Sequence, residues 1–161
     1  MVDSATRFPF AKAIRTPNAK NVFVAILEIW QFTDVGAVLI SDNGTHFTNE
    51  LNKEFLSRLG CAPRLITPNH PNANGLCERM VGTIKQMLRK VAMQHPKSWH
   101  KHLGYILRAL REVSNESTSV PPWVLAFGFL PRGPLAILQE SWCGEQQLPS
   151  NLGKTSHAYL M

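Results

Sequence analysis

Two carboxylates and two cations carry the chemistry that can be read first from this sequence. Asp42 follows a short apolar run, Ala37-Val38-Leu39-Ile40, and sits in the loop Ser41-Asp42-Asn43-Gly44. Open α/β sheets place their ligand crevice at the carboxyl ends of such buried strands. Glu78 stands thirty-five intervening residues later, near the start of a long helical pattern running from about Leu76 to Gln94. One acid is therefore held by a strand end and the other by a helix, so both can converge on a divalent cation without either losing its position. Lys85 and Arg89 follow Glu78 on the same helix at seven and eleven positions. At about 100° per residue, all three fall within about 20° of one line. The opposite side carries Met80, Ile84, Met87, Leu88 and Val91. One face packs, while the other presents an acid followed by cations, which is what a phosphodiester substrate calls for: metal at the scissile phosphate and basic groups on its neighbours. Taken singly, each residue also has a plainer reading. Asp-Asn-Gly makes turns, a Glu at a helix start complements the dipole, and Lys and Arg decorate solvated faces.

The elements that would position these groups alternate in type. Arg7 to Ile14 is β-compatible but contains Pro9, which suits a strand near a sheet edge. Asn18 can cap a helix reaching about Phe32, apolar nearly all round and so expected to be buried. Ala37–Ile40 reads as an interior strand. Phe47, Leu51, Phe55 and Leu59 mark the inward face of a second helix that stops at Gly60. Ala62 to Ile66 is a further strand, closed by a turn-rich stretch up to Gly75. After the long helix, another runs from about Ser98 to Val113 with Trp99, Leu103, Ile106, Leu107 and Leu110 inward. Trp30, Trp99 and Trp123 occupy apolar helical positions and are expected in the core. Strand and helix in alternation predict an α/β class. Residues 1–128 are read as one core, and residues 129–161 as a linker or the start of another module.

Composition narrows the partners. The 161 residues hold 17 Lys+Arg against 11 Asp+Glu, a formal charge of +6, which favours a polyanion such as nucleic acid. Cys61, Cys77 and Cys143 are three widely spaced cysteines without zinc spacing, as in a reduced intracellular compartment. The opening residues lack a signal-peptide apolar run, and the longest apolar stretch, Val22 to Leu27, is too short to cross a bilayer. A nuclear or cytoplasmic protein without a membrane anchor is expected. The six histidines form no recognisable ligand set; His100 and His102 are two apart and would diverge on a helix.

The motifs Ser41-Asp42-Asn43-Gly44-Thr45-His46-Phe47 and Thr67-Pro68-Asn69-His70-Pro71-Asn72-Ala73-Asn74-Gly75-Leu76-Cys77-Glu78-Arg79 resemble the integrase catalytic core of gypsy-class retrotransposons and retroviruses. That family separates its last two catalytic acids by the spacing found here. Val2 to Pro9 looks like the family's second strand. Arg111-Glu112-Val113, Glu116-Ser117-Thr118, Pro122, Leu125, Phe127 and Gly128 resemble its closing helices, and Arg132-Gly133-Pro134-Leu135 the segment after the core. The resemblance covers residues 2 to about 140. It implies a ribonuclease H-like three-layer fold, a mixed sheet flanked by helices, holding two Mg²⁺ or Mn²⁺ ions through three carboxylates. It also implies DNA integration by strand transfer: trimming of an element's 3′ end, then attack of that end on target DNA. By the same resemblance Asp42 and Glu78 are the catalytic and metal-binding acids. Lys85 falls where the family contacts element-end DNA; Arg89, on the same helix face, and Asn43, beside Asp42, are expected to bind nucleic acid with it, and the expected partners are retroelement ends, target DNA and a second copy of the chain in a homodimer.

Departures from the family pattern set a competing expectation. The family's first acid belongs to a strand preceding the one that matches residues 2–9, and Asp3 aligns with a different position. Val81 stands where the family has Asn, Asn69 where it has Tyr, and Phe10 and Val124 where it has Glu; the turn between Gly36 and Asp42 is about three residues short. With one ligand missing, metal affinity falls. The alternative is a catalytically inactive, domesticated or fossil module that binds DNA or dimerises.

Overall fold

The computed structural model describes residues 1–44, 47, 50–66, 75–131 and 133, the side chain of Leu51 excepted. The read boundary at residue 128 leaves a tail that lies, but for 129–131 and 133, outside these described residues. The described chain divides into two units: Met1–Val2 with Phe10–Leu107, and Asp3–Pro9 with the described part of Arg108–Met161.

In the first unit Asn18 caps helix α1 (Ala19–Trp30) as its sequence position requires. Its Oδ1 accepts from the Asn21 backbone N–H at 2.8 Å, satisfying a donor that the first helical turn leaves open. Phe23, Ala25, Ile26 and Trp30 turn inward. The helix is not buried all round, however: Val24 is exposed, and Phe32, just past the helix, is 85% exposed. Its apolar character exceeds what its one packed face uses.

Strand β1 (Val38–Ser41) pairs in parallel with β2 (Ala62–Leu65), in the register Val38↔Ala62 to Ser41↔Leu65. Helix α2 (Glu50–Arg58) connects them. The two strands make the α/β sheet of the described residues, part of the mixed sheet expected. The Ala62 N–H bonds the Ala37 carbonyl at 2.8 Å and the Ile66 N–H bonds the Ser41 carbonyl at 2.9 Å. Even-numbered residues of β2 therefore donate to β1, and the donor that Pro63 lacks falls on the outer edge, where the ladder does not need it. Burial alternates along β1, with Leu39 packed against the core while Val38 and Ile40 are exposed. The continuous apolar run predicted a strand covered on both faces; only one is covered.

Gly60 ends α2 with φ +75°. The Cys61 N–H reaches back to the Leu56 carbonyl at 2.9 Å and the Gly60 N–H to Ser57 at 3.0 Å, the paired bonds of a Schellman turn that aims the chain into β2. Of the face predicted to turn inward, Phe47 packs against the core and the Leu51 side chain lies outside the described residues, but the rest differs. Leu56, at 2% exposure, and Asn52 are buried, while Phe55 and Leu59 are exposed. Leu56 and Cys61 join Phe23, Ile26 and Trp30 in the core.

Helix α3 (Gly75–Gln94) follows the predicted pattern: Ile84 is buried and Met80, Met87, Leu88 and Val91 are half-buried. A 3₁₀ turn (Trp99–His102) then leads into α4 (Leu103–Glu112), where Leu103, Ile106 and Leu107 are buried. Trp99 is exposed rather than core, because the tighter turn rotates it off the α-helical stripe.

In the second unit Asp3 Oδ2 accepts from the Thr6 N–H at 2.7 Å and its hydroxyl at 2.6 Å, closing a turn that ends at buried Phe8 and Pro9. Arg7 in that turn has φ +62°, so no strand spans residues 7 to 14. Helix α5 (Pro122–Phe127) ends at Gly128, φ +77°. Trp123 is half-buried rather than core. No helix among the described residues is long and apolar enough to cross a membrane.

Candidate active site

Asp42 leaves β1 directly after Ser41, exposed at the carboxyl end of the strand. Its Oδ1 accepts the Gly44 N–H at 3.2 Å, while the Gly44 carbonyl accepts the Phe47 N–H at 2.9 Å. A Cβ at position 44 would stand 3.0 Å from Asp42 Oδ1. Glycine there lets the backbone approach the carboxylate closely enough to fix one of its oxygens. The second oxygen makes no hydrogen bond within the described residues, and Asn43 beside it is exposed.

Glu78 lies in the first turn of α3 and is exposed, where the partial positive charge of the helix N-terminus favours a carboxylate. Because Ile66 bonds the Ser41 carbonyl, the chain leaves the sheet beside Asp42 and, after residues 67–74, enters α3 with Glu78 four residues in. Residues 67–74, with most of the second motif, lie outside the described residues. Lys85 and Arg89 are exposed on the line of Glu78, and none of the three makes an ion pair within the described residues.

Beside that line a shallow cleft of about 270 Å³ is lined by Phe10, Lys12, Met80, Val81, Ile84 and Lys85, with Met1, Val2 and Ala11 completing it. Val81, one turn after Glu78, gives this wall an apolar surface where an amide would offer donors. Lys12 is paired with Glu28. Sequence reasoning did not find this cleft, since it joins residues far apart in the chain. Asp3, the one early acid weighed, belongs to the other unit with its carboxylate taken up by Thr6.

Asp42 and Glu78 offer the donor set for the divalent cation that the resemblance implies. Exposed carboxylate oxygens on a strand end and a helix are the hard ligands such ions take, and Mg²⁺ is often held by one or two carboxylates plus substrate phosphates. Asp42 and Glu78 fit that arrangement in kind. Among the described residues no three His, Cys, Asp or Glu side chains gather into a metal-holding group.

No family model matches the chain. Among curated proteins it is 29% identical over 136 residues to the Pro-Pol polyprotein of simian foamy virus type 1, a match covering 84% of this chain and 12% of that polyprotein. It is 25% identical over 93 residues to the transposon Tf2-3 polyprotein of Schizosaccharomyces pombe, covering 58% of this chain and 7% of the other. The chain thus spans about an eighth or less of these relatives. Among solved structures it superposes on the simian T-cell lymphotropic virus intasome in complex with the PP2A regulatory subunit B56 gamma. The TM-score is 0.71 at 19% identity, over 83% of this chain and 48% of that one. The HTLV-2 integrase catalytic core domain in complex with magnesium gives a TM-score of 0.65 at 18% identity, over 77% and 80%. The chain is a relative of retroviral and retrotransposon polyproteins, and its fold is the ribonuclease H-like α/β fold of the retroviral integrase catalytic core.

Proposed function

We propose that this chain is a DNA-integration domain that binds DNA along α3 and acts at a phosphodiester held between Asp42 and Glu78. The observation that carries the reading is the exposed line Glu78–Lys85–Arg89, an acid followed by two cations that no ion pair among the described residues neutralises. Lys85 and Arg89 hold phosphates adjoining the reacting one, and Asn43 adds a polar contact beside Asp42. Asp42 and Glu78 are the residues that would hold Mg²⁺ or Mn²⁺; when bound, such an ion supplies Lewis-acid polarisation of the phosphoryl oxygen and neutralises developing charge. Asp42, with one oxygen fixed by Gly44, orients the group it holds, and Val81 adds an apolar wall one turn after Glu78. The substrate class is retroelement-end and target DNA, and the working form is a homodimer, in keeping with the HTLV-2 core recorded in dimeric and trimeric forms. Residues 1–128 constitute the core and residues 129–161 a linker or the start of a further module.

A second reading, a binding module without strand-transfer activity, is favoured by Val81, an apolar side chain one turn after Glu78 where an amide would offer donors. Strand transfer by the purified chain with Mn²⁺ and labelled element-end DNA separates the two. Product that disappears in Glu78→Gln supports the first; DNA binding with no product, unchanged by Glu78→Gln, supports the second.

A further inference from the structure

Formal charge is distributed unevenly along this chain. From Arg79 to Leu107 the sequence holds six Lys and Arg residues, Arg79, Lys85, Arg89, Lys90, Lys97 and Lys101, and no Asp or Glu. The eleven Lys and Arg residues outside that stretch equal in number the 11 Asp+Glu of the whole chain, so the formal charge of +6 resides in these residues alone. All six side chains are exposed, and none makes an ion pair among the described residues. All belong to the first unit.

Two of the six lie beyond the end of α3. The helix stops at Gln94, and the chain turns a corner into the 3₁₀ turn and α4. Its own backbone holds this corner: the His95 N–H donates to the Val91 carbonyl at 2.8 Å, the Ser98 N–H to His95 at 3.2 Å and the Lys101 N–H to Ser98 at 3.0 Å. The rings of His95 and His102 stack with centres 4.7 Å apart, which fastens the turn to the end of the helix. Lys97 and Lys101 are exposed on this fixed corner, and no carboxylate of the same stretch opposes them.

Cations held at a distance from Lys85 and Arg89 fit a partner that is long, stiff and evenly charged. From Glu78 to Gln94 the helix advances sixteen residues, about 24 Å at about 1.5 Å each. A duplex running along α3 covers that length in about seven base pairs at about 3.4 Å each, and stays straight over it. A protein partner would centre its contact on apolar and aromatic side chains and disfavour lysine. We propose that Lys97 and Lys101 form a second phosphate-binding surface at the corner between α3 and α4, holding duplex DNA about seven base pairs or more from the phosphodiester at Glu78. This surface extends, and rests on, the DNA contact proposed along α3.

The test uses the full chain and fluorescein-labelled duplexes of about six and about twenty base pairs, the shorter unable to run from Glu78 past Gln94, with binding followed by anisotropy. Lys97→Ala/Lys101→Ala weakens the long duplex about tenfold and lowers the slope of log K against log salt by about 2, while the short duplex stays within about twofold. Lys97→Arg/Lys101→Arg restores the long duplex, and Lys85→Ala/Arg89→Ala weakens both lengths. Should the alanine pair fail to fold by circular dichroism, Lys97→Gln/Lys101→Gln, which keeps most of each aliphatic stem, gives the same split between lengths. Unchanged binding of the long duplex overturns the proposal, as does equal loss on both lengths, which would mean that the two lysines act only through the diffuse field of the molecule. Poly-glutamate that displaces the long duplex as strongly as unlabelled duplex does makes the corner a docking surface for an acidic protein segment and also overturns it. No effect of Lys85→Ala/Arg89→Ala on either length defeats the DNA contact along α3, whereas that effect without one from the corner lysines defeats the second surface alone.

Discussion

Helices α2 and α3 are both amphipathic surface helices, yet they treat their charges in opposite ways. On α2, Lys53 reaches Glu50 at 2.9 Å and Arg58 reaches Glu54 at 2.7 Å, so each cation is neutralised by an acid one turn back. On α3, Glu78, Lys85 and Arg89 lie along one exposed line with no ion pair among the described residues. Spacing explains the contrast. Separations of three and four residues let side chains meet, whereas seven and eleven keep the same azimuth but place the groups about two and three turns apart. The first arrangement satisfies itself; the second leaves its charges without an ion pair among the described residues, as the proposed contact with DNA requires.

Substitution has its largest effect in the support of α2 rather than on its surface. Leu56 is 2% exposed in the core shared with Phe23, Ile26, Trp30 and Cys61, so Leu56→Ala lowers stability by about 2–5 kcal/mol in urea unfolding. Phe55→Ala, one residue away but exposed, costs markedly less in the same measurement. Next comes the surface itself. Lys85→Ala/Arg89→Ala weakens duplex binding by about a hundredfold in low salt and reduces the slope of log K against log salt by about 2. Lys53→Ala/Arg58→Ala on α2 changes affinity by no more than about twofold under the same conditions. A third substitution tests a feature the two helices do not share, the side-chain cap of α1: Asn18→Ala lowers stability by about 1 kcal/mol, read from the thermal midpoint. The smallest effect is Glu54→Gln, about 0.3–0.5 kcal/mol, since Glu54 and Arg58 are both exposed and solvent screens their pair.

How far the sequence carried these conclusions varies with the kind of signal. Asn18 and Gly60 were legible because each does a local job, filling an open donor or taking a positive φ, that few residues do as well. The polar face of α3 was legible for a similar reason: one helix fixes its own azimuths whatever surrounds it. The inward face of α2 was not, since Phe55 and Leu56 are both large and apolar and only the partner surface decides which one enters. Trp99 was misplaced because a 3₁₀ turn advances about 120° per residue, a local change that composition does not announce. The stretch from Arg7 to Ile14 looked extended until the Asp3–Thr6 turn and the left-handed Arg7 redirected it. The aromatic group around Trp123 went unread for another reason: Phe8 and Phe127 lie far apart in the chain, and helical spacing alone made Trp123 look like core.

In the proposed function Asp42 and Glu78 serve one site although they stand on different elements. Electron paramagnetic resonance titration of Mn²⁺ into the chain bound to duplex DNA tests it most directly. Asp42→Asn and Glu78→Gln should each weaken the same class of bound Mn²⁺, and the double variant should lose little more than either single one. Losses that simply add, or a bound class that survives both substitutions, would show that the two carboxylates work apart.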